Sequence, residues 1–363
     1  MISPRSSIRT EARLRVEALE DRCTPAVTAV FNGGILTVLG DNAANVIRVG
    51  ADSGGNLVVT NNNQTVAIQV VNGNATRDGV QHIVIDGKGG NDALSTDASL
   101  NRIVNGSLAG AADVTMLGGA GNDTLQVGHG GIVGGLAGVD ANGVVVGPVV
   151  GNAFMDGGTG DDTLISGFGN DTMLGGTGDD NYLWPPGTLT DFWDGGAGFD
   201  TVTIVGNDTF LSPDPAGDVF QLTANGQNVR FQRTNLVQFT VDIARTESIV
   251  LRPGAGDDTV NIGDLTGVTH LKTVIVQGAD GNDTLDGSAQ RNRHVSVILD
   301  GGAGNDTLRG GAGRDLLLGS AGDDTLDGGD DHERDVLIGG EGTDSFVKRK
   351  KDLLVDLVPG EDH

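Results

Sequence analysis

The sequence predicts an all-β protein whose short strands are joined by tight glycine turns. Glycine supplies 61 of the 363 residues, well above the usual ~7%. The apolar residues are mainly valine, isoleucine and leucine, and a glycine-aspartate motif recurs every nine residues. A helical fold is disfavoured because each interior glycine costs a helix about 0.8–1 kcal/mol relative to alanine. Collagen is excluded because the glycines follow no three-residue period.

The N-terminal segment, residues 1–26, is predicted to be an export or sorting segment without fixed structure. It contains no apolar run long enough for a signal-peptide core, and the chain has none that approaches the ~18 residues of a membrane span. Cys23 is the single cysteine, so no internal disulfide can form. RVEALEDR, around Leu19, Glu20 and Arg22, resembles the LEPR-XLL motif of planctomycete surface proteins, with a departure at Asp21. The resemblance implies export.

Two β modules follow, and each leads into glycine-aspartate turns. One module contains LTVLGDNAANVI at 36–47 and the other VTIVGNDTFLSP at 202–213. Gly40 of the first segment lies fifty residues before Gly90 of a glycine-aspartate turn, and Gly206 of the second lies fifty residues before Gly256 of another. NLVVTNNNQTV at 56–66 is similar to VFQLTANGQNV at 219–229, and both predict a strand, an asparagine-containing turn and a second strand. The predicted organisation is 1–26 export segment, 27–156 first β module, 157–203 first repeat array, 204–300 second β module, 301–347 second array and 348–363 tail.

The repeat unit is G-G-x-G-x-D-x-U-x, where U is a large apolar residue. It occurs consecutively at 157–183 and, with one eleven-residue unit at 328–338, at 301–347; solitary units lie at 87–95, 118–126, 195–203, 253–261 and 278–286. In each unit six residues would form a turn and three a strand. Two units would then complete a coil, and coils would stack at ~4.8 Å as one continuous solenoid. This places Asp306, Asp324 and Asp344 on one edge and Asp315 and Asp335 on the other.

Stacked aspartates require a cation. Two carboxylates roughly 5 Å apart repel by about 3 kcal/mol at an effective dielectric of 20. Carboxylate oxygens and main-chain carbonyls match calcium, which takes six to eight oxygen ligands, whereas magnesium prefers a smaller octahedron. Zinc prefers nitrogen and sulfur ligands, and the six histidines are scattered. The predicted cofactor is therefore Ca²⁺, as several ions.

Units such as GGAGNDTLR at 301–309 resemble the RTX, or haemolysin-type, calcium-binding repeats, over roughly residues 87–347. The resemblance implies a right-handed parallel β-roll, calcium held between stacked turns, and secretion with folding outside the cell. The sixth residue of each unit would be the metal ligand: Asp92, Asp123, Asp162, Asp171, Asp180, Asp200, Asp258, Asp283, Asp306, Asp315, Asp324, Asp335 and Asp344. Pro253, Ala279 and Asp331 depart from the glycine pattern of their units.

The solitary turns allow an alternative. No second repeat lies eighteen residues from Asp92, Asp200 or Asp258, so each of these turns could also be a Gly-Asx turn that closes a coil without an ion.

The net charge of −26 disfavours nucleic acid and anionic membranes as partners. We expect calcium ions, and a cell-surface polysaccharide or surface protein, as partners of a secreted or surface-bound structural or adhesive protein. No enzyme is expected, because H-E-x-x-H and G-x-S-x-G are absent. The alternative is a carbohydrate-active or other secreted enzyme with its site on the solenoid face. Tyr182, Trp184, Phe192 and Trp193 could line such a site, but we favour a loop that packs over the coil edge.

Overall fold

A computed structural model describes residues 27–101, 103–104, 107–108, 112–128, 138–139, 145–146, 151–167, 169–184, 189–206, 217–235, 238–347 and 349–355. These residues form strands and one 3₁₀ helix, Ala98–Leu100. The export segment predicted at residues 1–26 and the end of the predicted tail, residues 356–363, lie outside the described residues.

The strands of the N-terminal half are β1 Thr28–Asn32, β2 Ile35–Leu39, β3 Val46–Ala51, β4 Leu57–Asn61, β5 Gln64–Val66, β6 Ile68–Asn72, β7 His82–Gly89, β8 Ala93–Thr96, β9 Ile103–Val104, β10 Ser107–Leu108, β11 Asp113–Ala120, β12 Thr124–Gln126, β13 Gly138–Val139, β14 Val145–Val146, β15 Ala153–Thr159, β16 Thr163–Ile165, β17 Thr172–Thr177, β18 Asn181–Trp184, β19 Leu189–Ala197 and β20 Thr201–Val205. Those of the C-terminal half are β21 Val219–Asn225, β22 Asn228–Arg233, β23 Phe239–Ala244, β24 Ser248–Arg252, β25 Thr259–Ile262, β26 Thr273–Asp280, β27 Thr284–Asp286, β28 Ser296–Ala303, β29 Thr307–Arg309, β30 Leu316–Ala321, β31 Thr325–Asp327, β32 Val336–Glu341, β33 Ser345–Val347 and β34 Leu353–Val355.

Two long sheets, mostly parallel, face each other across a narrow core. The larger sheet has 16 strands in the order β33-β31-β29-β27-β25-β21-β22-β23-β19-β17-β15-β11-β7-β2-β1-β6. The smaller has 14, in the order β34-β32-β30-β28-β26-β24-β20-β18-β16-β12-β8-β3-β4-β5. Apart from a few antiparallel hairpins, the chain alternates between the two sheets from one strand to the next, so the predicted all-β fold, a parallel β-roll, is confirmed.

Alternation of side chains in the strands creates the core. Many of the short strands have the sequence Thr-Leu-x, in which the first and third residues point outward and the leucine points inward. In β29, for example, Leu308 is fully buried. The inward residues of successive coils pair in register, as Leu285 does with Leu308 and Leu308 with Leu326. The core is therefore one column of apolar side chains along the whole solenoid.

The turns between the sheets lie on two edges. We call the first edge the side on which the chain passes from the larger to the smaller sheet, and the second edge the side on which it returns.

An antiparallel meander, β21-β22-β23, interrupts the parallel order of the larger sheet. The predicted strand–turn–strand of residues 219–229 is the hairpin β21–β22, and that of residues 56–66 is the hairpin β4–β5.

The aromatic side chains near the middle of the chain are part of the core. Tyr182 and Trp193 are fully buried and stack with ring centroids 5.0 Å apart, and Trp184 lies 4.2 Å from the ring of Phe239. The expectation of a loop packed over the coil edge was wrong, because these residues belong to β18 and β19 and alternate inward with the strand. Phe192, the fourth of the aromatic residues considered for a site, is only half-buried.

Candidate metal centres

A row of buried aspartates follows the first edge through the N-terminal half. The main-chain N–H of each aspartate donates to the Oδ1 atom of the aspartate one coil further on, for example Asp92 to Asp123 at 2.7 Å and Asp123 to Asp162 at 2.7 Å. The row continues through Asp180 to Asp200 at 2.8 and 2.9 Å. We call this the first carboxylate row.

A second carboxylate row follows the second edge through the C-terminal half, beyond the meander. It runs through Asp218, Asp258, Asp283, Asp306, Asp324 and Asp344, with N–H to Oδ1 distances of 2.6–3.0 Å. Shorter rows lie on the opposite edge of each half. One joins Asp171 to Asp191, and the other joins Asp315 to Asp335. The stacking of Asp306, Asp324 and Asp344 on one edge, with Asp315 and Asp335 on the other, therefore agrees with the spacing argument.

The solitary turns are members of the same rows. Asp92 and Asp123 are 31 residues apart in sequence, Asp180 and Asp200 are 20, and Asp258 and Asp283 are 25. The expectation that Asp92, Asp200 and Asp258 lack facing partners was wrong, because coils stack by their strands, and a longer loop elsewhere in a coil changes the sequence separation but not the register. The choice between a calcium turn and an ion-free turn at these positions is not decided by sequence separation.

The second carboxylate oxygen of these aspartates points into the turn. Among the described residues, no hydrogen-bond donor reaches the buried Oδ2 atoms of Asp92, Asp123, Asp162, Asp180, Asp200, Asp283, Asp306, Asp324 and Asp335. A buried oxygen without a partner costs about 1–3 kcal/mol, and more when it is charged. These atoms need a positive partner that the chain itself does not supply.

The first glycine of each unit leaves space beside that oxygen. A Cβ on Gly118 would lie 2.5 Å from the Oδ2 atom of Asp123 and 2.5 Å from the carbonyl oxygen of Gly157, one coil further on. At Gly157 the corresponding distances are 2.4 Å to Asp162 and 2.6 Å to the carbonyl oxygen of Gly175. A carboxylate oxygen and a main-chain carbonyl from the next coil thus face one small space, which is the donor set of a hard cation.

The fourth glycine has a conformational role instead. Gly178 and Gly322 have φ of +129° and +134°, which residues with a Cβ rarely adopt. At the second position, Ala279 and Ser320 hold φ of +83° and +81° without glycine. The predicted departure at Ala279 is therefore accommodated as backbone strain within an intact row.

Burial raises the pKa of the row aspartates. The pKa of Asp162 rises from 3.8 to about 7, chiefly through desolvation, while a main-chain hydrogen bond from Asp123 opposes the rise. The carboxylates of Asp123 and Asp180 add to it. Asp324 also reaches about 7, through burial and the charges of Asp306 and Asp344. Without a cation these groups are therefore poorly accommodated as anions.

Three rungs of the shorter rows differ from the others, because protein donors reach the second carboxylate oxygen of Asp191, Asp171 and Asp315. The Oδ2 atom of Asp191 accepts hydrogen bonds from Trp184 Nε1 at 2.9 Å and from the Tyr182 hydroxyl at 3.4 Å. Aromatic donors satisfy this oxygen, and burial raises the pKa of Asp191 to about 7. Asp171, which shares this short row, has an Oδ2 that accepts from Gly167 N–H at 3.3 Å.

A second, exposed ladder formed by residue five of the units runs beside the carboxylate rows. Its hydrogen bonds point the opposite way along the solenoid: the N–H of Asp161 donates to Oδ1 of Asn122, and the N–H of Asp179 to Oδ1 of Asp161. In the second half, Asp323 N–H donates to Asn305 and Thr343 N–H to Asp323. The Asn-Asp-Thr strings that begin at Asn122 and Asn305 therefore occupy positions five to seven of their repeat units.

Sequence reasoning missed the ends of the rows. Asn45 N–H donates to Asp92, Glu247 accepts from Asp200 N–H, and Asp352 accepts from Asp335 N–H at 3.5 Å. Asp191 and Asp218 were also missed. None of these five residues stands in a glycine-rich unit, so the repeat pattern did not indicate them. They could have been found only by asking which residue lies one coil before or after a repeat aspartate.

Comparison with known families identifies the repeats. Residues 108–130, 150–182, 275–293 and 300–332 match the RTX calcium-binding nonapeptide repeat, in four copies. A search of curated proteins gave no match. The chain therefore contains RTX calcium-binding repeats folded as a parallel β-roll, whereas the similarity of residues 19–22 to the LEPR-XLL motif stays a prediction.

Two features are absent from the described residues. In that part of the chain, no three His, Cys, Asp or Glu side chains converge as a metal cluster. In the same part of the chain, no helix is long and apolar enough to cross a membrane.

Proposed function

We propose that this chain is an extracellular calcium-binding β-roll with a structural or adhesive role, which folds on calcium after export. One observation carries the proposal: among the described residues, buried carboxylate oxygens that no donor reaches recur along both carboxylate rows, several of them beside a main-chain carbonyl of the next coil. Calcium at these positions would supply the missing positive charge. The aspartates at the thirteen predicted positions would be its side-chain ligands.

Coupling between calcium and folding follows from linkage. A ligand that binds only the folded state stabilises it by about 2.7 kcal/mol per site when present at a hundred times its dissociation constant. Several sites in rows would therefore shift a marginal fold to a stable one. Low cytosolic calcium would leave the chain exportable, and extracellular calcium would fold it.

We further propose a binding role without catalysis. The acidic side chains of the units are engaged in rows along the turns, and Tyr182, Trp184 and Trp193 are buried and thus not available to stack on a sugar. These placements give no support to a catalytic groove built from the aromatic cluster.

The test is calcium titration of the full chain. We expect far-ultraviolet circular dichroism in chelator to report a marginally stable chain with a weaker strand signal, and about 5 mM calcium, above the ~10⁻⁴–10⁻³ M dissociation constants of extracellular modules, to restore the full strand signal. Equilibrium dialysis would count several ions per chain. An unchanged spectrum together with no bound calcium would overturn the proposal.

A further inference from the structure

A recess of about 540 Å³ opens on the first edge near the C-terminal end of the solenoid. Four arginines line it: Arg291, Arg293, Arg309 and Arg349. The chain has only 23 basic residues and a net charge of −26. The recess therefore brings four guanidinium groups together beside three aspartates, whereas the chain as a whole is strongly acidic.

Three consecutive turns of unequal length form the recess. Residues 287–295 make a long loop between β27 and β28, residues 310–315 a short turn between β29 and β30, and residues 328–335 a longer turn between β31 and β32. The short turn is the floor, because a Cβ on Gly311 would lie 2.6 Å from the carbonyl oxygen of Gly287. The two longer turns rise beside it as walls.

The loop that carries two of the arginines is fixed from below. Gln290 is fully buried, and its Nε2 donates to the carbonyls of Val295 at 3.1 Å and Ala312 at 2.8 Å. Asn292 Nδ2 donates to the carbonyls of Leu265 and Val268 at 3.0 and 2.9 Å. Because the buried anchors alternate with Arg291 and Arg293, the chain presents both arginines outward from a rigid frame, which lowers the entropy cost of binding.

Two of the arginine ion pairs at the recess are long and exposed. Arg309 Nη1 lies 3.6 Å from Asp286, and Arg293 Nη1 lies 3.8 Å from Glu333, with 48% and 62% of the two arginine side chains exposed. Both distances exceed the ~3.2 Å limit of a good hydrogen bond, and exposed pairs of this kind contribute little. The guanidinium groups of Arg293 and Arg309 can therefore turn toward a ligand without breaking a strong ion pair, whereas Arg291 Nη1 donates to the carbonyl of Ser288 at 2.6 Å and Arg349 Nη2 to Asp327 at 3.3 Å.

The walls also carry acceptors. Asp327, Asp330 and Asp331 line the same recess. Asp327 and Asp330 can accept hydrogen bonds from hydroxyl groups, and Asp327 already accepts from Arg349 Nη2 at 3.3 Å and from Gly329 N–H at 3.1 Å. A glycan with carboxylate or sulfate groups offers both partners at once, since guanidinium binds such anions through two parallel hydrogen bonds. A ligand that is anionic throughout, such as a nucleic acid or an acidic peptide, would meet these carboxylates and the negative field of the whole chain.

We propose that this recess binds an anionic oligosaccharide, with Arg291, Arg293 and Arg309 on its acidic groups and Asp327 and Asp330 on its hydroxyls. The assignment rests on the proposed adhesive role and names the partner class for it. The volume lies within the usual range of ligand pockets, about 300–1,000 Å³.

The experiment is calorimetric titration of the calcium-loaded full chain with tetragalacturonate, sulfated galactotetraose, neutral galactotetraose and tetra-aspartate. We expect the carboxylated or the sulfated sugar to bind, and the comparison of these two identifies the acidic group. The double variant R291Q/R293Q should weaken this binding about tenfold or more, as expected for lost charge-assisted hydrogen bonds. R252Q removes an exposed arginine that contacts Gln277 at 2.9 Å on β24, away from the recess, and should bind like the wild type.

Equal binding of the neutral sugar, equal binding of tetra-aspartate, or full retention of binding in R291Q/R293Q would each overturn the proposal. Failure of both acidic sugars to bind would overturn it as well. The calcium count and the dichroism spectrum of the same samples report on the calcium-dependent fold, so failure of the glycan site and failure of the proposed function are distinguishable.

Discussion

Asp324→Asn is expected to change the stability of the protein in opposite directions with and without calcium. Asp324 lies inside the second carboxylate row, where its Oδ1 accepts the N–H of Asp306 at 2.8 Å and no donor from the described residues reaches its Oδ2. Asparagine keeps the Oδ1 acceptor. Its amide nitrogen can donate to the carbonyl of Gly339, which lies beside the Oδ2 position.

The calcium-free magnitude follows from the pKa. A pKa of about 7 in place of 3.8 corresponds to roughly 4 kcal/mol against the buried anion if the site were sealed from water. The turn lies at the solenoid edge, where solvent screens the charge, so we take roughly 1–2 kcal/mol. In chelator at pH 7.5, Asp324→Asn should therefore raise the free energy of unfolding by that amount.

With calcium the sign reverses, because the variant lacks a charged ligand. A lost charged interaction of about 1.5–3 kcal/mol predicts a calcium midpoint raised by roughly tenfold or more. Asp323→Asn is the matched control: it removes the same charge from the exposed ladder and keeps an Oδ1 acceptor for Thr343 N–H. Urea unfolding and calcium titration of both variants decide it. Equal calcium midpoints, or an Asp324→Asn protein less stable than the wild type in chelator, would refute the reasoning.

Three further predictions concern pH, one rung and one glycine. Burial raises the pKa values of the row aspartates, to about 7 at Asp162. Between about pH 4 and 7 the folded calcium-free chain therefore binds more protons than the unfolded chain, and its stability falls as the pH rises through this range. A melting temperature in chelator that is higher at pH 8 than at pH 5.5 would contradict this. Asp191→Asn should leave the number of bound calcium ions unchanged, because Trp184 donates to its Oδ2 at 2.9 Å, whereas Asp180→Asn should lower it; equal counts by dialysis would disprove the distinction. Gly118→Ala places a Cβ 2.5 Å from two oxygens and should weaken calcium binding and lower the melting temperature well beyond Gly54→Ala, whose Cβ would meet neighbours at 3.3 Å.

Much of the fold was predictable because the nine-residue period encodes the coil directly. The apolar eighth residue, such as Leu308, and the sixth-position Asp306 sit where the unit requires them. Their register needed no tertiary information.

The rest depends on contacts between coils that are distant in sequence. Asp200 and Glu247 stack across 47 residues, and nothing local in the chain reports that separation. Asp191 belongs to a row although it stands in an aromatic strand, since its rung is set by the pairing of β17 with β19. The antiparallel meander was equally hidden, because a hairpin sequence does not state which sheet it joins.

The stacking of coils has a consequence for how such a chain can change over evolutionary time. Two adjacent nine-residue units contribute one rung to each edge, as with Asp306 and Asp324, eighteen residues apart. Duplication or loss of a whole coil would lengthen or shorten the rod by ~4.8 Å and leave every remaining rung opposite its old neighbours. Gain or loss of a single unit would exchange the two edges for the rest of the chain, so we expect repeats in this protein to be gained or lost as whole coils of two units rather than as single units.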